Sequence, residues 1–117
     1  MTLRVARVEP STLIAEPDNH LALSPLLSAE DCGGALSVTW VTIDGRHRRL
    51  RTHRSTRVYA VLDGSLQIET DGEPPAVLVS GEVAAIPRGS VYALAGTATY
   101  LVVNAPAFIE GDDEYPD

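Results

Sequence analysis

The chain has 117 residues, 44% of them hydrophobic, which is room for one domain and no second. No apolar run reaches the ~18 residues of a membrane-spanning helix, and a formal net charge of −7 argues against a general nucleic-acid binder, which needs a basic face to displace counterions from phosphate. Cys32 stands alone, so no internal disulfide forms, and no partner motif marks it as a nucleophile.

The N-terminus, Met1-Thr2-Leu3-Arg4-Val5-Ala6-Arg7, lacks the continuous apolar stretch of a secretory signal, so a cytoplasmic location is expected. Residues 1–34 read as extended segments and loops, with a turn at Ser28-Ala29-Glu30-Asp31 as the one hint of helix. Residues 35–43, rich in β-branched side chains, are the clearest strand and end at the turn pair Asp44-Gly45. Strands at 57–62 and 65–70 run into Asp63-Gly64 and Asp71-Gly72, the pairs that favour tight hairpin turns, and so suggest a meander. Shorter strands are predicted over 76–79, 83–86, 91–94 and 97–103, with Pro87-Arg88-Gly89 as a turn. Strands at this spacing make an all-β sandwich or barrel over residues 35–108. Residues 109–117, with Glu110, Asp112, Asp113, Glu114 and Asp117, form an acidic tail expected to be mobile.

Charge is distributed unevenly. There is no lysine, and six of the nine arginines (Arg46, Arg48, Arg49, Arg51, Arg54 and Arg57) fall within twelve residues, together with His47 and His53. For Arg46, Arg48 and Arg54 a solvated strand edge, kept from pairing with other edges by its charge, is a sufficient account.

Two spaced motifs carry more information. The first runs Gly45, five residues, Arg51-Thr52-His53, three residues, Arg57, six residues, Gly64; the second runs Gly81, five residues, Pro87-Arg88-Gly89, two residues, Tyr92, three residues, Gly96. The spacing matches without a gap the pattern G-x5-H-x-H-x3-E-x6-G followed by G-x5-P-x-G-x2-H-x3-N, and over most of residues 36–105 the chain resembles a small single-domain cupin. The resemblance implies a cupin or jelly-roll β-barrel (a double-stranded β-helix) with little helix, and a homodimer, with the segment holding Val5 and Val8 as an edge strand. It also implies that Arg51, His53, Arg57 and Tyr92, which stand where the family places metal ligands, converge on one cavity.

Those side chains suit a metal poorly, because a protonated guanidinium offers no lone pair and repels a cation; no bound metal and no cofactor are expected. Arginine forks suit carboxylate or phosphate instead. Arg51 and Arg57 are thus candidate substrate-binding residues for a small anionic or polyhydroxylated metabolite, unless they pair internally with Asp18, Glu69 or Glu82. Tyr59 and Trp40, with Tyr100 and Phe108, are candidates for the pocket wall. His53 and Tyr92 are the candidate catalytic pair: an imidazole removes a proton, a phenol delivers one, and an arginine stabilises the anion between them. Such a set supports isomerisation, epimerisation, cyclisation or dehydration without a metal. Two alternatives stay open. One is a cupin that binds or senses a ligand without chemistry. The other is a metal-dependent cupin oxygenase with relocated ligands, in which His20, His47 and His53 gather with an acid such as Asp18; His47 and His53 lie about 20 Å apart on an extended strand, so this needs a sharp bend.

Overall fold

The computed structural model describes residues 2–116. Among them, strands run in chain order as β1 (Ile14–Glu16), β2 (Leu21–Leu27), β3 (Ser37–Arg46), β4 (Arg51–Thr52), β5 (Thr56–Thr70), β6 (Ala76–Val79), β7 (Val83–Ile86), β8 (Tyr92–Ala105) and β9 (Asp113–Glu114). Helix is confined to single 3-10 turns at Pro10–Thr12, Pro17–Asn19 and Glu30–Cys32, and no helix of the described residues is long and apolar enough to cross a membrane. One antiparallel sheet has the order β1-β2-β3-β8-β5-β6, with β7 on the early part of β5, while β4 and β9 pair apart from it. This is the all-β jelly-roll barrel, wrapped around a core that includes Val41, Ile43, Leu66, Ile68, Leu94 and Tyr100.

The long strands β5 and β8 pair from Thr56↔Ala105 to Thr70↔Tyr92 and form the spine of the barrel. Side chains on a strand alternate between faces, so Arg57, Tyr59 and Val61 all point inward from β5. A register shift between Val61 and Asp63 then moves the inward set to Leu66 and Ile68. One extra residue changes the parity, which lets a single strand keep an apolar face inside while it bends. The bend brings backbones close together. A Cβ on Gly64, at φ +79°, would lie 2.2 Å from the Thr97 carbonyl oxygen, and one on Gly96, at φ +137°, 2.3 Å from that of Ser65.

Several expected boundaries therefore move. Asp44-Gly45 and Asp63-Gly64 do not turn the chain: β3 continues to Arg46 against Ala95 of β8, and β5 runs through Gly64, because β8 is long enough to extend both ladders. Strands expected at 91–94 and 97–103 likewise merge into β8 through Gly96. Asp71-Gly72 does form the turn between β5 and β6. The N-terminal segment holds β1 and β2, and Pro25 is tolerated in β2 because it lies past the end of β1, where only β3 is a neighbour. The acidic tail packs onto the barrel: β9 pairs with β4, and Asp112, Asp113 and Glu114 each meet an arginine.

Candidate functional site

The barrel encloses a cavity of about 690 Å3. Leu23 of β2, Val41 of β3, Val102 of β8 and Phe108 give it apolar walls, while His47, Arg57, Tyr59, Tyr100, Asn104, Asp113 and Tyr115 supply its polar groups. Strand geometry places most of them. Arg57 and Tyr59 share the inward parity of β5, Tyr100, Val102 and Asn104 share that of β8, and Arg57 sits directly across from Asn104 in the ladder.

Arg57 is the centre of this arrangement and is only 4% exposed. Its Nε donates to Asn104 Oδ1 at 2.6 Å, one terminal nitrogen donates to the Tyr92 hydroxyl at 3.1 Å, and the other donates to Asp113 Oδ1 at 2.7 Å. Burial opposes its charge, but Tyr59, Tyr92 and Asp113 outweigh burial and raise its pKa. The Tyr59 and Tyr92 hydroxyls lie 2.6 Å apart. Burial raises both tyrosine pKa values, against the pull of Arg57, so both phenols keep their protons at neutral pH. When Tyr92 accepts from Arg57 and donates to Tyr59, the Tyr59 hydroxyl proton is left for a ligand in the cavity.

His47 lies just beyond the end of β3, where the chain leaves the sheet, and its backbone N–H donates to the Leu94 carbonyl at 2.9 Å. The ring is buried. Its Nδ1 is 2.7 Å from the Arg48 carbonyl; a carbonyl only accepts, so Nδ1 carries the proton and Nε2 keeps its lone pair. Burial lowers the pKa of the imidazole, outweighing the Arg48 hydrogen bond and the charges of Glu16 and Asp113 that raise it. The ring stacks on Tyr115 at 6.2 Å and 28°.

The residues singled out by motif divide into three groups. Arg57 and Tyr59 line the cavity, and Tyr92 lies behind them in contact with both. Arg51 and His53 are absent from its lining: both hold Glu114 of β9, His53 through Nε2 at 2.6 Å, and the His53 side chain is 58% exposed. The reason is that β4 is two residues long and pairs with β9 instead of joining the barrel sheet. Trp40 has the parity of β3 opposite to that of Thr39 and Val41, so it is on the other face from the cavity. The carboxylate that meets Arg57 is Asp113, while Glu69 pairs with Arg46. The histidines do not gather: His20 Nδ1 is on the Arg46 carbonyl, His47 on that of Arg48 and His53 on Glu114, and no three His, Cys, Asp or Glu side chains among the described residues form a metal-holding group.

Sequence reasoning gave no cavity role to Asn104, Asp113 and Tyr115, and considered His47 only as a relocated metal ligand. Parity with Arg49, Arg51 and His53 connects His47 to the motif, but the strand breaks at residues 47–49, where the alternation no longer applies. Asp113 lies 56 residues from Arg57 in the chain, a distance across which no local pattern acts.

The sheet order, the glycine-bearing bends and the cavity define a cupin-fold protein. No family model matches the chain, and no curated protein does. Among solved structures, a variant of Streptomyces PAC13 with uridine aligns with a TM-score of 0.83 at 18% identity, covering 99% of this chain and 92% of that one; Pac13 is described as a nucleoside dehydratase. KdgF from Halomonas sp. aligns with a TM-score of 0.70 at 16% identity, over 81% of this chain and 87% of that one. A cupin-like protein from Thermotoga maritima has a TM-score of 0.70 at 16% identity, over 98% and 86%. The metal that many cupins carry does not fit this chain's side chains: at the ligand positions Arg57 directs its protons at Tyr92 and Asp113, and Arg51 and His53 are engaged by Glu114.

Proposed function

We propose that the protein is a metal-independent acid/base enzyme that acts on a small polyhydroxylated metabolite held in the barrel, with dehydration or isomerisation next to a carbonyl as the reaction class. One observation carries this reading. A buried, neutral imidazole whose Nε2 makes no hydrogen bond among the described residues lines the same cavity as a tyrosine at the end of a hydroxyl chain anchored on Arg57.

In this reading His47 Nε2 removes a proton from the carbon beside the carbonyl. Tyr59 then protonates the departing hydroxyl in a dehydration, or the receiving atom in an isomerisation, and draws a proton from Tyr92 in turn. Arg57, fixed in place, stabilises the tyrosinate charge that appears along this chain. The cavity suits the uncharged, hydroxyl-rich part of a substrate better than a free anion, because Asp113 already balances Arg57 and Glu16 and Glu110 also line the wall. The cupin comparison supports the residue choice. The PAC13 structures with uridine carry a histidine replaced by glutamine, or one of two tyrosines replaced by phenylalanine; these positions follow one another at intervals of 13 and 34 residues, against 12 and 33 for His47, Tyr59 and Tyr92 here.

The test is hydrogen exchange in deuterated water, followed by NMR, over a panel of nucleosides, hydroxyketones and oxidised sugars. The wild type is expected to exchange or convert at least one of them, and His47→Gln to slow that by about 100-fold or more. Undiminished exchange in His47→Gln refutes the assignment. Ligand binding without exchange in the wild type replaces it with the non-catalytic binding role.

A further inference from the structure

Outside the barrel, Arg46, His47, Arg48, Arg49 and Tyr115 line a recess of about 350 Å3, and His47 and Tyr115 belong to the cavity lining as well. The recess and the cavity are therefore neighbours that share two side chains.

The arginines of this recess are held in different ways. Arg46 pairs with Glu69, and Arg49 with Asp71 at 3.3 Å; their side chains are 59% and 43% exposed. Ion pairs in water are weak and exchange readily for a better anion. Arg48 is built into its place. Its Nε and its backbone N–H both donate to Asn19 Oδ1, at 3.0 and 3.2 Å, and its guanidinium lies 3.9 Å from the centre of the Tyr115 ring. Asn19 is itself only 1% exposed, held where the 3-10 turn Pro17–Asn19 meets β2. Among the described residues Arg48 has no carboxylate within ion-pair distance, and its two terminal nitrogens donate to nothing. Ordering a long cationic side chain costs rotamer freedom, and a guanidinium fixed by a buried amide and an aromatic face, with its outer edge left open, is pre-organised to receive an oxyanion.

We propose that this recess binds the phosphate group of a phosphorylated substrate, whose uncharged part passes His47 and Tyr115 into the barrel. The cavity end of this assignment rests on the acid/base reading above; the phosphate end rests on the recess alone. The division fits the charges. Carboxylates line the cavity beside Arg57, whereas the recess gathers three guanidiniums around an opening, a set that matches the several oxygens of a phosphate dianion better than the two of a carboxylate.

Isothermal titration of the full chain with inorganic phosphate, in chloride buffer of matched ionic strength, tests this without any turnover. Wild type is expected to bind phosphate, Arg48→Gln to bind it at least about tenfold more weakly, and Arg46→Gln to show a smaller loss. Arg88→Gln, at a turn arginine outside the recess, should bind phosphate like the wild type. A nucleoside monophosphate should bind more tightly than its nucleoside, and Arg48→Gln should erase that advantage. No phosphate binding by the wild type, or equal binding by Arg48→Gln and wild type, overturns the proposal. Phosphate binding that depends on Arg48, with exchange activity that does not depend on His47, leaves the recess standing and removes the acid/base reading.

Discussion

Replacing Asp113 with asparagine isolates what the C-terminal segment does for the barrel. Arg57 is 4% exposed, its side chain meets Asp113 at 2.7 Å, and Asp113 is 23% exposed, so the substitution leaves a buried guanidinium without its counter-charge. Removing one partner of a buried pair costs about 3–5 kcal/mol. Arg57 keeps Asn104 and the Tyr92 hydroxyl, and water reaches part of Asp113, so the lower end, about 3 kcal/mol, is expected. At about 4 °C per kcal/mol for a chain of this size, the midpoint should fall by about 12 °C. Glu114→Gln is the internal comparison. That carboxylate also meets an arginine, but it is 45% exposed and its partner Arg51 is 29% exposed, so its loss should cost far less than that of Asp113. Urea unfolding followed by circular dichroism and Trp40 fluorescence measures both, and the double variant Arg57→Met/Asp113→Asn should be markedly more stable than the sum of the single losses predicts. An Asp113→Asn cost under about 1 kcal/mol, or one equal to that of Glu114→Gln, refutes the reasoning that the tail completes the interior.

Burial lowers the pKa of His47, so the folded chain keeps it neutral in a range where the unfolded chain protonates it. The stability that follows is fully present above the ordinary histidine value of 6.5 and is lost as the pH falls from there towards the folded value. Wild type should therefore lose more stability than His47→Gln between about pH 7 and pH 5 in thermal unfolding, and parallel curves over that window refute the burial argument. Gly64→Ala places a Cβ 2.2 Å from a backbone oxygen at positive φ, whereas Gly72→Ala, also at positive φ, meets nothing within 4 Å. The first should cost about 3 kcal/mol or more and the second about 1 kcal/mol in urea unfolding; equal costs would show that backbone approach at Gly64 is not what fixes the barrel bend.

Glycine spacing and strand alternation were sufficient to read the barrel, because both are local. A residue that cannot carry a Cβ must be glycine wherever two strands cross closely, and inward parity puts Arg57 and Tyr59 on one face whatever lies around them. The motif frame likewise singled out Tyr92. Local patterns misled where a dipeptide serves two purposes: Asp63-Gly64 has the composition of a hairpin turn, but here it absorbs a bulge in a strand that β8 holds straight through.

The site depended on contacts between distant parts of the chain. Which carboxylate meets Arg57, which histidine is buried and which arginine is left with an open edge are decided by the return of residues 112–115 over β4 and β5, and by Asn19 reaching Arg48 from the far end of the sequence. Amino-acid order alone determined the period and the pivots of the sheet, since those follow from each residue's own stereochemistry. Partner choice among six clustered arginines, and with it the exclusion of Arg51 and His53 from the cavity lining, came only with the folded arrangement, because charge pairing is set by proximity in space and any acidic side chain within reach of a guanidinium serves equally well.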